Sequence, residues 1–266
     1  MPAIITDRFR IHNSEQFQEA FSEASGNTMY LGIGRPQAFA TSTRADGRTN
    51  NEGSDTAPLT PADNLNAQHF PYDDMLAAKK IATSDVTFAV PRRNWATGTT
   101  YDIYRHDYGE RITGTTTAQT ANSGVSNLHD ASFYVLTTAR NVYKVLDNNG
   151  NSASTVEPTG TSTTVLTTGD GYKWKFMYTL SASQQANFLS TDFMAVATDS
   201  TVSAAAVAGA IEVIKIKTAG SGGANGTHTN IDIRGDGSGG QCSVTVAGGV
   251  VTAVTVTTAG SGYTFG

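Results

Sequence analysis

Residues able to do chemistry are few and scattered in this 266-residue chain. Asp232 and Asp236 stand in glycine-rich turns, where carboxylates and nearby carbonyls can hold calcium. Calcium takes about six to eight oxygens, so two carboxylates read first as solvated turn residues. The five histidines, His12, His69, His106, His129 and His228, form no His-Glu-x-x-His motif and no close ligand pair. A single cysteine, Cys242, excludes an internal disulfide framework and a cysteine-based zinc site. Ser221 and Ser261 lie in Gly-Ser-Gly turns, not in the Gly-x-Ser-x-Gly elbow of a serine hydrolase. The strings GSGGANGT and GDGSGGQ lack the Gly-Lys-Ser/Thr ending and following helix of a phosphate loop. Asp73 and Asp74 open an expected helix, where the macrodipole accounts for them without a glycosidase pair. The expectation is a protein with no catalytic residues, no cofactor and no metal.

Bulk composition narrows the class. Charged residues are only 15% of the chain, the net charge is −5 and the pI is near 5.5. A nucleic-acid binder needs a basic face to neutralise phosphates, and basic residues here are dispersed, with Arg92-Arg93 the densest cluster. The start, MPAIITDRFRIHN, lacks the charged and apolar regions of a secretory signal. No window approaches the run of about 18 apolar residues that a membrane helix needs. A soluble product made in a cytoplasm is expected, with no nucleic-acid or membrane partner.

The elements that would position any site are mostly short. Asn13 and Gln16 suggest a capping box, with Phe17, Phe21 and Ala24 at helical spacing and Gly26 as a stop. TMYLGI (28–33) reads as a strand. Residues 41–68 are polar and turn-rich, a loop suited to a contact arm in an assembly or to a mobile segment in a monomer. YDDMLAAKKI (72–81) predicts a short helix with acids first and lysines last. DVTFAV (85–90) predicts a strand stopped by Pro91, and YDIYRHDY (101–108) continues the strand-rich pattern. SFYVLTT (132–138) and NVYKVLD (141–147) predict a hairpin around Ala139-Arg140. Residues 148–168 read as a loop or weak edge, Ser181 and Gln184 as a capping box, and DFMAVAT (192–198) as a strand.

The stretch TTGDGYKWKFMYTL (167–180) carries the clearest alternation. Tyr172, Trp174, Phe176, Tyr178 and Leu180 share one side of an extended chain, with Lys173, Lys175, Met177 and Thr179 on the other. Strict period-two alternation with lysines opposite marks a buried face rather than an exposed sugar platform. Each large side chain so buried contributes about 1.5–3 kcal/mol. Trp95, in VPRRNW, is expected to pack under a loop, with Arg92 and Arg93 either solvated or paired with a partner's carboxylates.

Composition shifts at residues 199–210, a small-residue linker. Beyond it, IEVIKIKTAGSG (211–222) and VTAVTVTTAGSG (251–262) share TAGSG at an offset of 40. Ile211, Ile214 and Ile216 match Val251, Val254 and Val256, so a strand ending in a glycine turn is expected twice. Only YTFG follows the second copy, which reads as a repeat unit interrupted at its first turn, continued in a longer protein or covered by another chain.

Two strings carry a family resemblance. VPRRNWATGTTYDIYRHD (90–107) and GDGYKWKFMYTLS (169–181), in this order, resemble the baseplate wedge protein of T-even-like contractile-tailed bacteriophages. ITDRFRIHNSEQF and TMYLGIGRPQAF fit the same template, so the likeness spans roughly residues 4–197. It implies a β-rich structural component that pairs as a homodimer within each wedge and contacts other baseplate wedge proteins. Pro91, Arg92, Arg93, Trp95, Gly169, Asp170, Gly171, Tyr172 and Trp174 then transfer as fold or interface markers, with nothing catalytic to carry over. After about residue 200 the chain departs from that template and is similar to Gly-Ser-Gly-Tyr-Thr units of phage structural proteins.

The expected architecture is mainly β, with sandwich-like layers and a few short helices, followed by a small Gly-rich β-repeat module. Its parts are a wedge-like domain at 1–198, a linker at 199–210 and the module at 211–266. The expected role is a virion scaffold in the tail baseplate, assembled in the host cytoplasm, that passes on the baseplate conformational change. The alternatives are a carbohydrate-binding tail adhesin using the C-terminal module and a polysaccharide depolymerase.

Overall fold

The computed structural model describes residues 7–23, 28–34, 75–105, 107–111 and 116–264. The chain is mainly β, with several small antiparallel sheets and few helices. It divides into two compact units, Met1–Phe88 and Ala89–Gly266. Ala24, Gly26, His106 and all of residues 35–74, with the polar stretch 41–68, His69, Asp73 and Asp74, lie outside the described residues.

In the first unit, helix α1 spans Asp7–Glu19, so Asn13 and Gln16 sit inside it rather than at its start. There Ser14 Oγ donates to the Arg10 carbonyl (2.9 Å) and Gln16 Nε2 to Glu19 Oε2 (3.0 Å), local bonds that serve a helix interior. Strand β1 (Tyr30–Gly34) pairs antiparallel with β2 (Met75–Lys80), joining Tyr30 to Lys80 and Ile33 to Ala77. The second strand corrects the helix expected at 72–81. Met, Leu, Ala and Lys favour helix, but an isolated helix this short is unstable, and a partner strand satisfies the same backbone groups.

The second unit is built around a four-stranded sheet in the order β4-β5-β7-β6. Its strands are β4 (Tyr134–Leu136), β5 (Asn141–Asp147), β6 (Leu166–Thr167) and β7 (Lys173–Thr179). The expected hairpin is present, with Arg140 at φ +64° in its turn. Along β7 the burial alternates as expected, and Tyr172, Trp174, Phe176, Tyr178 and Leu180 are all buried. Tyr172 stacks on Trp174 at 5.3 Å between centroids, and Tyr101 meets Trp174 edge-on at 5.8 Å. This first core also takes in Val135, Tyr143 and Val145. A second gathers Leu136, Val142, Tyr178, Leu180, Met194 and Ala195.

Strand β3 (Ala89–Pro91) is shorter than expected, because Thr83–Asp85 forms a 3-10 turn, and it pairs with β8 (Phe193–Ala195). Residues 101–105 are irregular rather than strand. Helix α2 (Ala182–Phe188) carries the expected capping box: Gln184 N–H donates to Ser181 Oγ (3.2 Å) and Ser181 N–H to Gln184 Oε1 (3.0 Å). Helix α3 (Ser200–Ala205) occupies part of the expected linker, capped by Asp199.

A three-stranded sheet follows, β11-β10-β9, from β9 (Gly226–Asp232), β10 (Ser238–Ala247) and β11 (Val250–Ser261). The second TAGSG copy ends β11; the first is no regular strand but runs antiparallel beside it. Ile211 N–H donates to the Ala259 carbonyl (2.9 Å), and Val251 N–H to that of Ala219 (2.9 Å). Gly223 N–H to Gly249 (2.9 Å) and Tyr263 N–H to Gly209 (3.2 Å) form a second matched pair. Adding 40 to one donor yields the other, so a local twofold relates the copies. Gly220 and Gly260 repeat the same left-handed turn, at φ +69° and +64°, which a side chain would resist. The copies differ because β11 is flanked by β10, whereas the counterpart position before the first copy is helix α3.

Candidate interaction surfaces

The marker residues lie in the second unit, where their hydrogen bonds form one group beside β3 and β4 and another at the start of β7. Pro91 lies in β3, and its carbonyl accepts from Tyr134 Oη at 2.6 Å. Arg92 donates through Nε to Asn94 Oδ1 (2.9 Å) and through Nη1 to the Ser190 carbonyl (2.7 Å). Arg93 donates to the carbonyls of Ala131 and Asp130, and its guanidinium lies over the Tyr134 ring at 5.0 Å. Both arginines therefore bind backbone of their own chain, where a planar fork serves better than an ammonium. Trp95 packs half-buried against the first core, and its Nε1 donates to Ser154 Oγ at 3.1 Å.

Ser154 in turn donates to Asp170 Oδ2 at 3.1 Å, which connects the 90–107 string to the 169–181 string. Asp170 also accepts from the N–H groups of Thr155 (2.7 Å) and Val156 (3.0 Å), and from Thr168 Oγ1 and Tyr172 N–H. Burial by itself would raise its pKa, but the bonds from Thr168, Thr155, Val156 and Tyr172 outweigh it and bring it to about 2. Gly169 and Gly171 flank it; Gly171 sits at φ +82°, and a Cβ there would lie 2.7 Å from Asn149 Nδ2. Trp174 Nε1 donates to Thr168 Oγ1 at 3.2 Å, and the Tyr172 hydroxyl donates to the Ser152 carbonyl.

Sequence reasoning missed three buried polar residues of the second unit: Ser154, Asp102 and Asn148. Asp102 accepts from Ser123 N–H (2.9 Å), Ser123 Oγ (2.7 Å) and Ser132 N–H (2.7 Å), tying two loops to the core. Asn148 donates to the Tyr101 carbonyl at 2.9 Å. All three stand in irregular segments, where no periodicity separates a buried polar residue from a solvated one. Their neighbours are donors and acceptors in fixed pairs, the arrangement of a scaffold rather than of an acid-base site.

Asp232 and Asp236, weighed as calcium ligands but read first as solvated turn residues, bond within the chain, and Asp232 ends β9. Asp232 Oδ1 accepts from Gln241 Nε2 (3.0 Å), and Asp236 Oδ1 from Thr264 N–H (2.8 Å). Among the described residues no three histidine, cysteine or acidic side chains converge as a metal site. Among them also, no helix is long and apolar enough to cross a membrane. Tyr263, the aromatic residue described in the C-terminal segment, is buried, and its Oη accepts from Gly240 N–H at 3.1 Å. It presents no face for a sugar ring, and the adhesin reading finds no support there.

Exposed apolar side chains concentrate in the first unit. Phe9, Ile11 and Phe17 of α1 and Tyr30, Leu31, Ile33 and Leu76 of the hairpin all face solvent, Tyr30 at 65% and Leu76 at 63%. A groove of about 400 Å³ opens beside Phe17, lined also by Val86 and Phe88. Grouped exposed hydrophobes of this kind mark surfaces that other proteins cover.

A family model described as Bacteriophage T4, Gp8 matches residues 3–141, just over half of the chain. This chain belongs to the T4 Gp8 family. The matched stretch contains the first unit with its apolar surface and the string at 90–107, while GDGYKWKFMYTLS lies beyond it. Gp8 is a baseplate wedge protein, and its family is a structural one. As a Gp8-family member the chain is a component of the phage tail baseplate and associates with other baseplate proteins. No curated protein matches the chain.

Proposed function

We propose that this protein holds neighbouring wedge proteins in fixed relation within a contractile tail baseplate and relays the baseplate's conformational change through its interfaces. Membership of the Gp8 family carries this reading. The bonded lattice around Ser154 and Asp170 supports it, because a rigid sheet transmits a displacement at one face to another. In this reading the nine marker residues hold the fold: Pro91, Arg92, Arg93 and Trp95 pin the β4 edge, and Gly169, Asp170, Gly171, Tyr172 and Trp174 pin β7.

The protein acts without catalysis, nucleic acid or cofactor, and it is assembled in the host cytoplasm as a homodimer within each wedge. Obligate contacts of this class usually bury more than about 2,000 Å², and the apolar surface of the first unit supplies the chemistry for one. The segment at 211–266 serves as a β-repeat module after the 1–198 domain and the 199–210 linker, joined to the central sheet by the Lys175–Glu212 ion pair. Chemical cross-linking and mass spectrometry of purified tails test the reading. Links to wedge subunits near the sheath are expected; links to distal fibres alone would overturn it.

A further inference from the structure

Lys144 on β5 and Lys175 on β7 are direct cross-strand partners on one face of the central sheet. Like charges opposite each other weaken a strand pair. Among the described residues one carboxylate answers them: Glu212, from the start of the first repeat copy, forms an ion pair with Lys175. Lys144 makes no salt bridge or hydrogen bond among the described residues, and its ammonium lies over the Tyr104 ring at 4.5 Å. The three charged groups sum to an excess of one positive charge. They line a cavity of about 760 Å³ whose other walls include Met177, Val207 and Val256. One pole of this cavity is cationic and the rest is largely aliphatic.

We propose that this cavity is a docking site for an aliphatic, acid-bearing peptide segment of another baseplate protein, whose carboxylate pairs with Lys144. The inference rests on the reading that other baseplate proteins grip this chain. Charge complementarity selects the occupant: an ammonium with no carboxylate paired to it among the described residues asks for one, and the apolar walls ask for branched aliphatic neighbours. Burial depresses the Lys144 pKa, with Glu212 opposing that and Lys175 adding to it, the condition that an incoming carboxylate relieves. The cavity uses Glu212 and Val256 from beyond residue 200, so it depends on the C-terminal segment that the Gp8 family match does not reach.

The test is an NMR titration of the full chain carrying 13Cε-lysine, with the Lys144 signal assigned by its loss in Lys144→Met. The probes are the capped peptide Ac-Gly-Val-Leu-Glu-Gly-amide, the same peptide with Gln for Glu, hexanoate and acetate. A saturable Lys144 shift with the Glu peptide, absent with the Gln peptide and with acetate, is expected. Glu212→Gln should tighten the Glu peptide by up to about fivefold, since it removes the competing carboxylate. No saturable shift, or the same shift with the Gln peptide or acetate, would overturn the site. Saturation by hexanoate but not by the peptide would overturn the peptide occupant in favour of a free carboxylic acid, and unchanged affinity in Glu212→Gln would remove Glu212 from it. Failure of the titration is distinct from failure of the wedge assignment, which cross-linking in tails decides.

Discussion

The pairs β1–β2 and β5–β7 are both antiparallel ladders rich in apolar residues, yet they place those residues in opposite settings. Along β7 and the tyrosine before it the aromatic face is buried, with Tyr172 and Trp174 at 0% exposure. On β1 and β2, Tyr30, Leu31, Ile33 and Leu76 remain exposed on both faces of the ladder. A two-stranded hairpin alone is marginally stable in water, and a sheet gains independent stability only when one face is covered. The lesson is that apolar content does not separate a scaffold from a docking surface. What separates them, among the described residues, is whether a second layer covers the ladder.

Breaking the covered side should cost most. Trp174→Ala removes a fully buried ring and leaves Thr168 Oγ1 without its donor, so a loss of about 3–5 kcal/mol in urea unfolding is expected. Gly171→Ala comes next, at about 1–3 kcal/mol, because the backbone stays left-handed and the new methyl collides with Asn149. Thermal unfolding monitored by near-UV circular dichroism would read it.

Asp170 sharpens the comparison through pH. Its folded pKa of about 2 lies below the ordinary value of about 3.9, so folding favours the ionised form. That contribution is present in full above about pH 5 and is lost as pH falls through about 2. Asp170→Asn should lower stability at neutral pH by about 1 kcal/mol, the group being partly solvent-screened. The variant should also show a flatter decline of Tm between about pH 5 and about pH 2 than the parent. An unchanged acid limb would remove Asp170 from the lattice.

The smallest effect on folding is expected on the uncovered side. Leu31→Ser with Ile33→Ser should shift stability by no more than about 0.5 kcal/mol each, as exposed positions do. The same pair should weaken association with other baseplate proteins, read by sedimentation velocity of mixtures. A large loss of stability with intact association would reverse the contrast between the two ladders.

Much of the central sheet was legible in the sequence, because its signals are local. The alternation at 172–180 has the period of a strand with one buried face, and the hairpin around Arg140 and the Ser181–Gln184 box are short-range chemistry. The interior of the lattice was not legible. Ser154, Asp102 and Asn148 look like any loop serine, aspartate or asparagine until folding brings Trp95 and Asp170 to the first, Ser123 and Ser132 to the second and Tyr101 to the third. The helix expected at 72–81 shows the same limit, since propensity at Met75–Lys80 lost to the ladder that Tyr30–Gly34 offered.

The amino-acid order alone determined that Tyr172, Trp174, Phe176, Tyr178 and Leu180 share a hidden face, and it displayed the TAGSG duplication. Both depend only on neighbours a few positions away. Tertiary structure decided that the first copy would lie as an irregular partner beside the second, because only one of them has a β10 to flank it. It also set Lys144 opposite Lys175 with one carboxylate between two cations. Residues far apart in the chain acquire an electrostatic relation only when folding fixes their separation.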